Sequence, residues 1–192
     1  MIVCAASNNA GKLKELRRIL ERMGHEVKSL RELGIDLDPE ETGTTFSENA
    51  RIKAEAFCKA SGLPTVAECG GFLYLGRTLQ DADGTPHPMA GVLPGQGFKV
   101  GRLVRFGYAR LTARADSMLL RAGETLPVHE FHHWDSTENG DAFTAAKANG
   151  RQWACGFANT RLYAGFPHLY WAGTPLPKRF AAAAEHYIKE TS

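Results

Sequence analysis

The fold of this chain depends most on residues 63–79, which read LPTVAECGGFLYLGRTL. The apolar run Leu63–Ala67 predicts a strand, Gly70-Gly71 predicts a tight turn, and the apolar segment Phe72–Leu79 predicts a helix. Glycines beside a nucleophile allow the strained turn that lifts its side chain above a sheet, near the free N–H groups at the helix start. A thiol held there ionises more easily, so Cys69 is a candidate nucleophile. Its alternative role is that of a buried, small hydrophobic residue.

The composition is that of an ordinary globular chain. It has 192 residues, of which 43% are hydrophobic and 23% charged, and a formal net charge of +2. This length fits one domain over residues 1–192, and this charge predicts neither a nucleic acid nor a membrane partner.

The other cysteines, Cys4, Cys58 and Cys155, lie in apolar or helical surroundings and are predicted to be structural. No two cysteines have C-x-x-C spacing, and the sequence shows neither an apolar leader nor a stretch of membrane-spanning length. These features predict a soluble cytoplasmic protein with no disulfide framework and no zinc knuckle.

The amino-terminal third alternates strands and helices. An apolar strand over 1–6 precedes a helix with apolar spacing over Leu13–Met23, which Gly24 ends, and a second strand follows over 25–30. A capping box at Thr45–Glu48 begins a further helix. This alternation predicts an α/β fold with a three-layer, flavodoxin-like, mostly parallel sheet, helices on both faces and ligands at the carboxyl ends of the strands.

Beyond Gly84 the pattern changes to strands and hairpins, because Asp-Gly and Asn-Gly turn signals separate stretches rich in β-branched and aromatic residues. The predicted strands are Lys99–Ala113, Leu126–Trp134, Ala142–Lys147, Trp153–Ala158 and His168–Ala172. A closing helix is predicted over Pro177–Lys189, and no internal repeat or linker divides the chain.

Two motifs near the amino terminus, SNNAGK at 7–12 and ETGTTFSENARIKA at 41–54, carry a first resemblance. Through them residues 1–67 resemble the amino-terminal half of the inosine triphosphate pyrophosphatase family. Amide groups at a helix start and a lysine suit phosphate, and a carboxylate suits a hard cation. The site residues implied by the resemblance are the phosphate-binding Asn9, Lys12 and Lys53 and the Mg²⁺-binding Glu41.

The chain departs from that family after the third strand. The family continues with an Asp-Asp-Ser-Gly segment whose acids serve metal and water, whereas Glu68-Cys69-Gly70-Gly71 stands here. The base-recognition motifs of the family have no counterpart. The alternative roles are therefore a helix N-cap for Asn9, a solvated lysine for Lys12 and a capping-box acid for Glu48.

A second resemblance begins at Ala67. Its motifs are AECGGFLYLG at 67–76, PMAGVLP at 88–94, RFGY at 105–108, HEFH at 129–132 and YAGFPHL at 163–169. With them residues 67–180 resemble the carboxyl-terminal part of the glutamine amidotransferase domain of cobyrinic acid a,c-diamide synthase. The resemblance implies that Cys69 attacks the glutamine amide, that His168 is the general base, and that ammonia passes to an acceptor activated by an ATP-using domain.

The second half also departs from its family. Tyr170 stands two residues past the base, where many triad amidotransferases have Glu and cobyrinate synthases often have His. The Gly-Gly loop that supplies an oxyanion-hole N–H before the nucleophile strand has no counterpart, and such a loss typically reduces the rate by about 100- to 1,000-fold. No segment of the sequence resembles the ATP-using domain.

Together the two resemblances predict an engineered or recombined chimera of residues 1–67 and 68–192, with a retained fold and no efficient natural activity. The alternatives are a residual class I-type glutaminase at Cys69 and His168, weak nucleoside triphosphate binding at the amino-terminal motif, and a non-catalytic interaction module. The expected small-molecule partners are accordingly glutamine or a nucleoside triphosphate. No cofactor is expected, except Mg²⁺ together with a bound triphosphate.

Three histidines cluster near the middle of the second half. On a strand His129 and His133 share a face while His132 points to the other, which is a poor arrangement for zinc. We therefore expect no metal at this cluster.

Overall fold

The amino-terminal part of the structure is a strand–helix–strand unit. The computed structural model describes residues 2–5, 10–29, 32 and 64–191. Strands β1 (Ile2–Ala5) and β2 (Glu26–Ser29) pair in parallel, and helix α1 (Ala10–Leu20) connects them in the chain. A 3₁₀ turn follows α1 and ends at Gly24, whose φ of 79° is a left-handed conformation that favours glycine. The predicted order of strand, helix, glycine stop and strand is confirmed, and the predicted helix after Thr45 lies outside the described residues.

The carboxyl-terminal two thirds is mainly β-structure. Its elements are, in chain order, β3 (Thr65–Glu68), α2 (Gly70–Leu75), β4 (Thr78–Gln80), β5 (Pro86–Pro88), β6 (Gln96–Lys99), β7 (Arg105–Ala113), β8 (Thr125–His132), β9 (Trp134–Ser136), β10 (Phe143–Ala146), β11 (Gln152–Cys155), β12 (Phe157–Ala158), β13 (Leu162–Gly165), β14 (His168–Leu169) and α3 (Leu176–Thr191). Five strands form a sheet in the order β11-β10-β7-β8-β14, three form a second in the order β12-β13-β3, and four form a third in the order β5-β4-β6-β9.

The α/β class is confirmed, but the strand directions differ from the prediction. Among the described strands, β1 with β2, β3 with β13 and β4 with β6 pair in parallel, and the other pairs are antiparallel. β7 and β8 run antiparallel because the chain reverses between them without a helical crossover. The described strands therefore do not form the mostly parallel sheet expected from the amino-terminal alternation.

Helix α2 is shorter than the predicted helix over Phe72–Leu79. It ends at Leu75, and Thr78–Gln80 forms β4 instead. A Cβ added at Gly76 would lie 2.7 Å from the carbonyl oxygen of Gly95, so the helix ends where the chain passes close to a second backbone. The local hydrophobic pattern cannot indicate this contact between Gly76 and Gly95, which are distant in sequence. The pattern also predicts neither β5 nor β13.

One hydrophobic cluster joins the elements that flank Cys69 and His168. It contains Ala67 of β3, Phe72 of α2, Ala164 of β13 and Phe166 in the following turn, all of them buried. The rings of Phe72 and Phe166 meet edge to face with their centroids 5.1 Å apart. Full burial of one such side chain contributes about 1.5–3 kcal/mol to stability. The turn that carries Cys69 and the segment that carries His168 are thus held by the same core.

A larger cluster packs the five-stranded sheet against the start of α3. Leu111, Phe143 and Leu176 are almost fully buried within it. Leu176 begins α3, so the predicted closing helix is confirmed at this end of the core. No helix in the described ranges is both long and apolar enough to cross a membrane.

Candidate active site

Cys69 lies in the turn between β3 and α2. Its backbone has φ 52° and ψ −106°, and it is the one non-glycine among the described residues with a positive φ. Such a conformation costs on the order of 1–3 kcal/mol and persists when its surroundings hold it. The Cys69 N–H donates to the carbonyl oxygen of Gly165 at 2.8 Å, and the Cys69 carbonyl accepts the N–H of Leu73 at 3.1 Å. Strand β13 and helix α2 therefore hold the strained turn from both sides.

The two glycines after Cys69 have a different role from the one expected. The positive φ falls on Cys69 rather than on Gly70 or Gly71. A Cβ at Gly70 would meet no atom within 4 Å, and one at Gly71 would be in ordinary contact, at 3.6 Å, with the Cβ of Ala67. These glycines are thus not needed for backbone conformation, and they leave open space beside the nucleophile.

His168 faces this turn from the start of β14. Its Nδ1 lies 3.3 Å from Oε2 of Glu68. A hydrogen bond with the Cys69 thiol, and after it the hydrogen bond with Glu68, raise the pKa of His168 to about 9, although burial opposes the shift. The structure therefore brings the two predicted catalytic residues, Cys69 and His168, together.

Glu68 is a site residue that the sequence analysis missed. Its Oε1 accepts the backbone N–H of Leu169 at 3.1 Å and the Nε1–H of Trp171 at 3.3 Å, while Oε2 faces His168. A carboxylate at the end of an apolar strand, next to a candidate nucleophile, is the signal that points to it. Its partners lie far along the chain, so the signal gives no indication of what it binds.

A cleft of about 440 Å³ opens beside His168. Its walls are largely apolar and include Tyr108, Pro127, Leu169 and Tyr170. A larger cleft of about 580 Å³, lined by Arg102 and Arg105 among others, contains neither Cys69 nor His168. The smaller cleft borders the His168 imidazole, and Cys69 is not among its lining residues.

The structure does not test the predicted phosphate and metal residues. Asn9, Glu41 and Lys53 lie outside the described residues, and Lys12 is in α1 with a side chain that is also outside them. Within the described part of the chain, no group of three or more His, Cys, Asp and Glu residues is placed to hold a metal ion. The phosphate and Mg²⁺ assignments therefore stay predictions.

The three clustered histidines point to the faces of the strand that the sequence predicts. His132 is buried with its Nε2 3.2 Å from Oε2 of Glu130, while His129 and His133 make edge contacts with aromatic rings on the other face of the sheet. Cys155, predicted to be structural, is buried, and burial raises the pKa of its thiol to about 12. Of the other two predicted structural cysteines, Cys58 lies outside the described residues and Cys4 is described only by its place in β1.

An α/β protein with a strained cysteine at a strand–helix turn and an imidazole beside its thiol has the layout of a cysteine-nucleophile enzyme. The chain belongs to the CobB/CobQ-like glutamine amidotransferase domain family, whose model matches residues 40–175. A model of the Ham1 family matches residues 3–74, so the two matches overlap over 40–74. Both predicted resemblances are confirmed, and the amidotransferase match begins upstream of residue 67.

Individual relatives show the same division. The chain is 30% identical to a cobyrinate a,c-diamide synthase of Thermoplasma volcanium, with 90% of this chain and 42% of the relative covered. It is 35% identical to the Salmonella typhimurium protein of that name, over 66% of this chain and 29% of the relative. A dITP/XTP pyrophosphatase of Rhizobium meliloti is 52% identical over 66 residues, which cover 34% of this chain and 30% of the relative. The chain thus spans about two fifths or less of the length of these relatives.

A solved structure supports the fold across the chain. It is a Thermoplasma acidophilum protein assigned to GMP synthase, with a TM-score of 0.58, 14% identity, and coverage of 99% of this chain and 96% of that one. At this identity the similarity concerns the fold alone.

Proposed function

We propose that this chain hydrolyses the side-chain amide of glutamine, with Cys69 as nucleophile and His168 as acid and base. The observation that carries the proposal is the position of His168 at the strained turn of Cys69, where its Nδ1 lies 3.3 Å from Oε2 of the adjacent Glu68 and the Cys69 thiol is the first cause of its raised pKa. Membership of a glutamine amidotransferase domain family supports the substrate class.

The proposed reaction has two halves. The Cys69 sulfur attacks the amide carbon of glutamine and forms a tetrahedral adduct. The imidazolium of His168 then gives its proton to the leaving nitrogen, the C–N bond breaks, and ammonia departs, leaving a thioester on Cys69. Water then attacks the thioester while His168 accepts a proton, and glutamate is released with the free thiol. The N–H of Gly70, directly after the nucleophile, is the elbow amide suited to the developing oxyanion.

We further propose that this activity is slow and that ammonia leaves into solution. The amidotransferase Gly-Gly loop before the nucleophile strand has no counterpart in the sequence, and the loss of one oxyanion donor typically lowers the rate by about 100- to 1,000-fold. The two family matches support a chain of two parts, and we propose that it is an engineered or recombined chimera in which the fold is kept better than the activity. We propose a single, three-layer domain for it, flavodoxin-like in having helices on both faces but with mixed strand directions, and the fold similarity over the whole chain supports this proposal.

The test is release of glutamate from glutamine by the purified protein, compared with Cys69→Ala. We expect slow release in the parent chain and background in the variant, because the nucleophile is gone. Cys155→Ala is the matched control, since it removes a buried thiol that lies in the core, and it should keep the parent rate. Equal rates in the parent chain and Cys69→Ala would refute the proposal.

A second candidate function is weak nucleoside triphosphate binding with Mg²⁺ at Asn9, Lys12 and Lys53, with Glu41 at the metal. The Ham1 match and the identity to the Rhizobium meliloti pyrophosphatase support it. Calorimetric titration of inosine triphosphate with Mg²⁺ tests it, and no saturable binding in the millimolar range would exclude it. A Lys12→Ala and Lys53→Ala double variant should bind more weakly than the parent chain.

A further inference from the structure

We propose that Glu68 is the positioning residue of this site, which fixes the orientation of the His168 ring. The inference rests on the proposed function, because it assigns a role at the same Cys69 and His168 pair. Tyr170 stands two residues past the base, where many triad amidotransferases have Glu and cobyrinate synthases often have His, and its side chain is 62% exposed.

The contacts of Glu68 hold the ring and the backbone around it at the same time. Oε2 faces Nδ1 of His168 at 3.3 Å, and Oε1 accepts hydrogen bonds from the backbone of Leu169 and the indole of Trp171. One carboxylate therefore binds three points of the 168–171 segment. Because a carboxylate accepts, Nδ1 is the protonated nitrogen, and Nε2 is left for the thiol of Cys69.

The strand register makes Glu68 suitable for this role. Glu68 stands opposite Gly165 in the parallel pair of β3 and β13, and the N–H of Cys69 donates to that same Gly165. The carboxylate and the nucleophile are thus consecutive residues fixed to the strand that leads to His168. A positioning group on the nucleophile's own strand ties the position of the base to that of the nucleophile.

The charge of Glu68 also has a direct chemical effect. A carboxylate beside Nδ1 stabilises the imidazolium and thereby the thiolate that forms when the Cys69 proton moves to the ring. The titratable groups that face His168 are Cys69 in the turn, Glu68 of β3, His129 opposite it on β8, and Tyr108 and Tyr170 along the cleft. Among these described groups, Glu68 is the carboxylate.

The experiment compares Glu68→Gln with the parent chain, since glutamine keeps the size and an acceptor oxygen but removes the charge. We expect NMR titration of the His168 ring to show its pKa falling from about 9 toward the ordinary value near 6.5. The kcat for glutamate release should fall by about 100- to 10,000-fold with KM little changed, as when the acid that orients a catalytic histidine is lost. Glu185→Gln, the same change at an exposed residue of α3, is the control and should change neither quantity.

The two readouts separate this inference from the proposed function. If the His168 pKa is lowered in Glu68→Gln but the parent chain releases no glutamate, the positioning role is supported and the glutaminase activity is refuted. Release in the parent chain with an unchanged His168 pKa and kcat in Glu68→Gln would overturn the positioning role. Should Glu68→Gln not fold, ¹⁵N chemical shifts of His168 in the parent chain above pH 9 decide: an Nδ1–H tautomer supports the role, and an Nε2–H tautomer overturns it.

Discussion

Two of the carboxylate–imidazole pairs among the described residues have almost the same length but very different surroundings. Glu68 and His168 meet at 3.3 Å with side chains that are 23% and 42% exposed. Glu130 and His132 meet at 3.2 Å with side chains that are 2% and 3% exposed. The chemical groups are the same, so the surroundings decide what each pair does.

The buried pair has every polar group facing a partner. Glu130 Oε1 accepts the Nε1–H of Trp153 at 3.2 Å, and His132 Nδ1 lies 2.7 Å from the carbonyl oxygen of Trp134. The ring of Phe166 stacks on His132 at 3.8 Å. The site pair instead leaves one imidazole nitrogen to face the thiol of Cys69. A Glu–His pair closed on all sides is therefore structural, whereas one left open toward a nucleophile is available for chemistry.

Removing the buried carboxylate should change stability the most. Glu130→Ala leaves a buried ring nitrogen and a buried indole N–H without their acceptor, and we expect a loss of about 3–5 kcal/mol in the free energy of unfolding. Glu68→Ala removes a partly exposed group, and we expect a loss below about 1 kcal/mol. Urea unfolding of both variants measures the difference.

The control for this comparison is Glu130→Gln, which keeps the volume and one acceptor oxygen. It should lose less stability than Glu130→Ala, because the indole of Trp153 retains its partner. Equal losses for Glu68→Ala and Glu130→Ala would show that burial does not separate the two pairs.

A smaller change concerns the pH dependence of stability. The pKa of His168 is raised from 6.5 to about 9 in the folded protein, so its contribution is fully present below pH 6.5 and is lost as the pH rises through 9. Because the ring is partly exposed, solvent screening reduces the contribution to about 1–2 kcal/mol. Urea unfolding between pH 6 and pH 10 should therefore show stability falling across this window.

His168→Gln provides the matched control, since it removes the titrating ring at similar size. Its unfolding free energy should fall less steeply over the same pH range. If the unfolding free energy falls equally steeply with pH in the parent chain and the variant, other titrating groups cause the fall. His168 is then not held as an imidazolium.

The sequence predicts the part of the site that depends on local pattern. A strand, two glycines and an apolar helix place Cys69 at a turn, and the family resemblance assigns His168. Glu68 escapes prediction because its role depends on the pairing of β3 with β13, and the small residues of Leu162–Gly165 give only a weak strand signal. The early end of α2 at Gly76 depends in the same way on contact with a distant backbone.

The weakest change should come from the segment that connects the two pairs. Phe166 stacks on His132, and Pro167 joins it to His168, with the buried Tyr163 hydroxyl donating to the Pro167 carbonyl at 3.0 Å. Tyr163→Phe removes this one hydrogen bond, and we expect urea unfolding to show a loss of about 0.5–1 kcal/mol. The His168 pKa should stay near 9 in an NMR titration, because the contacts of Glu68 are unchanged. If the His168 pKa falls instead, the Glu68–His168 pair depends on the buried Glu130–His132 pair through Phe166 and Pro167. The two pairs then do not act independently.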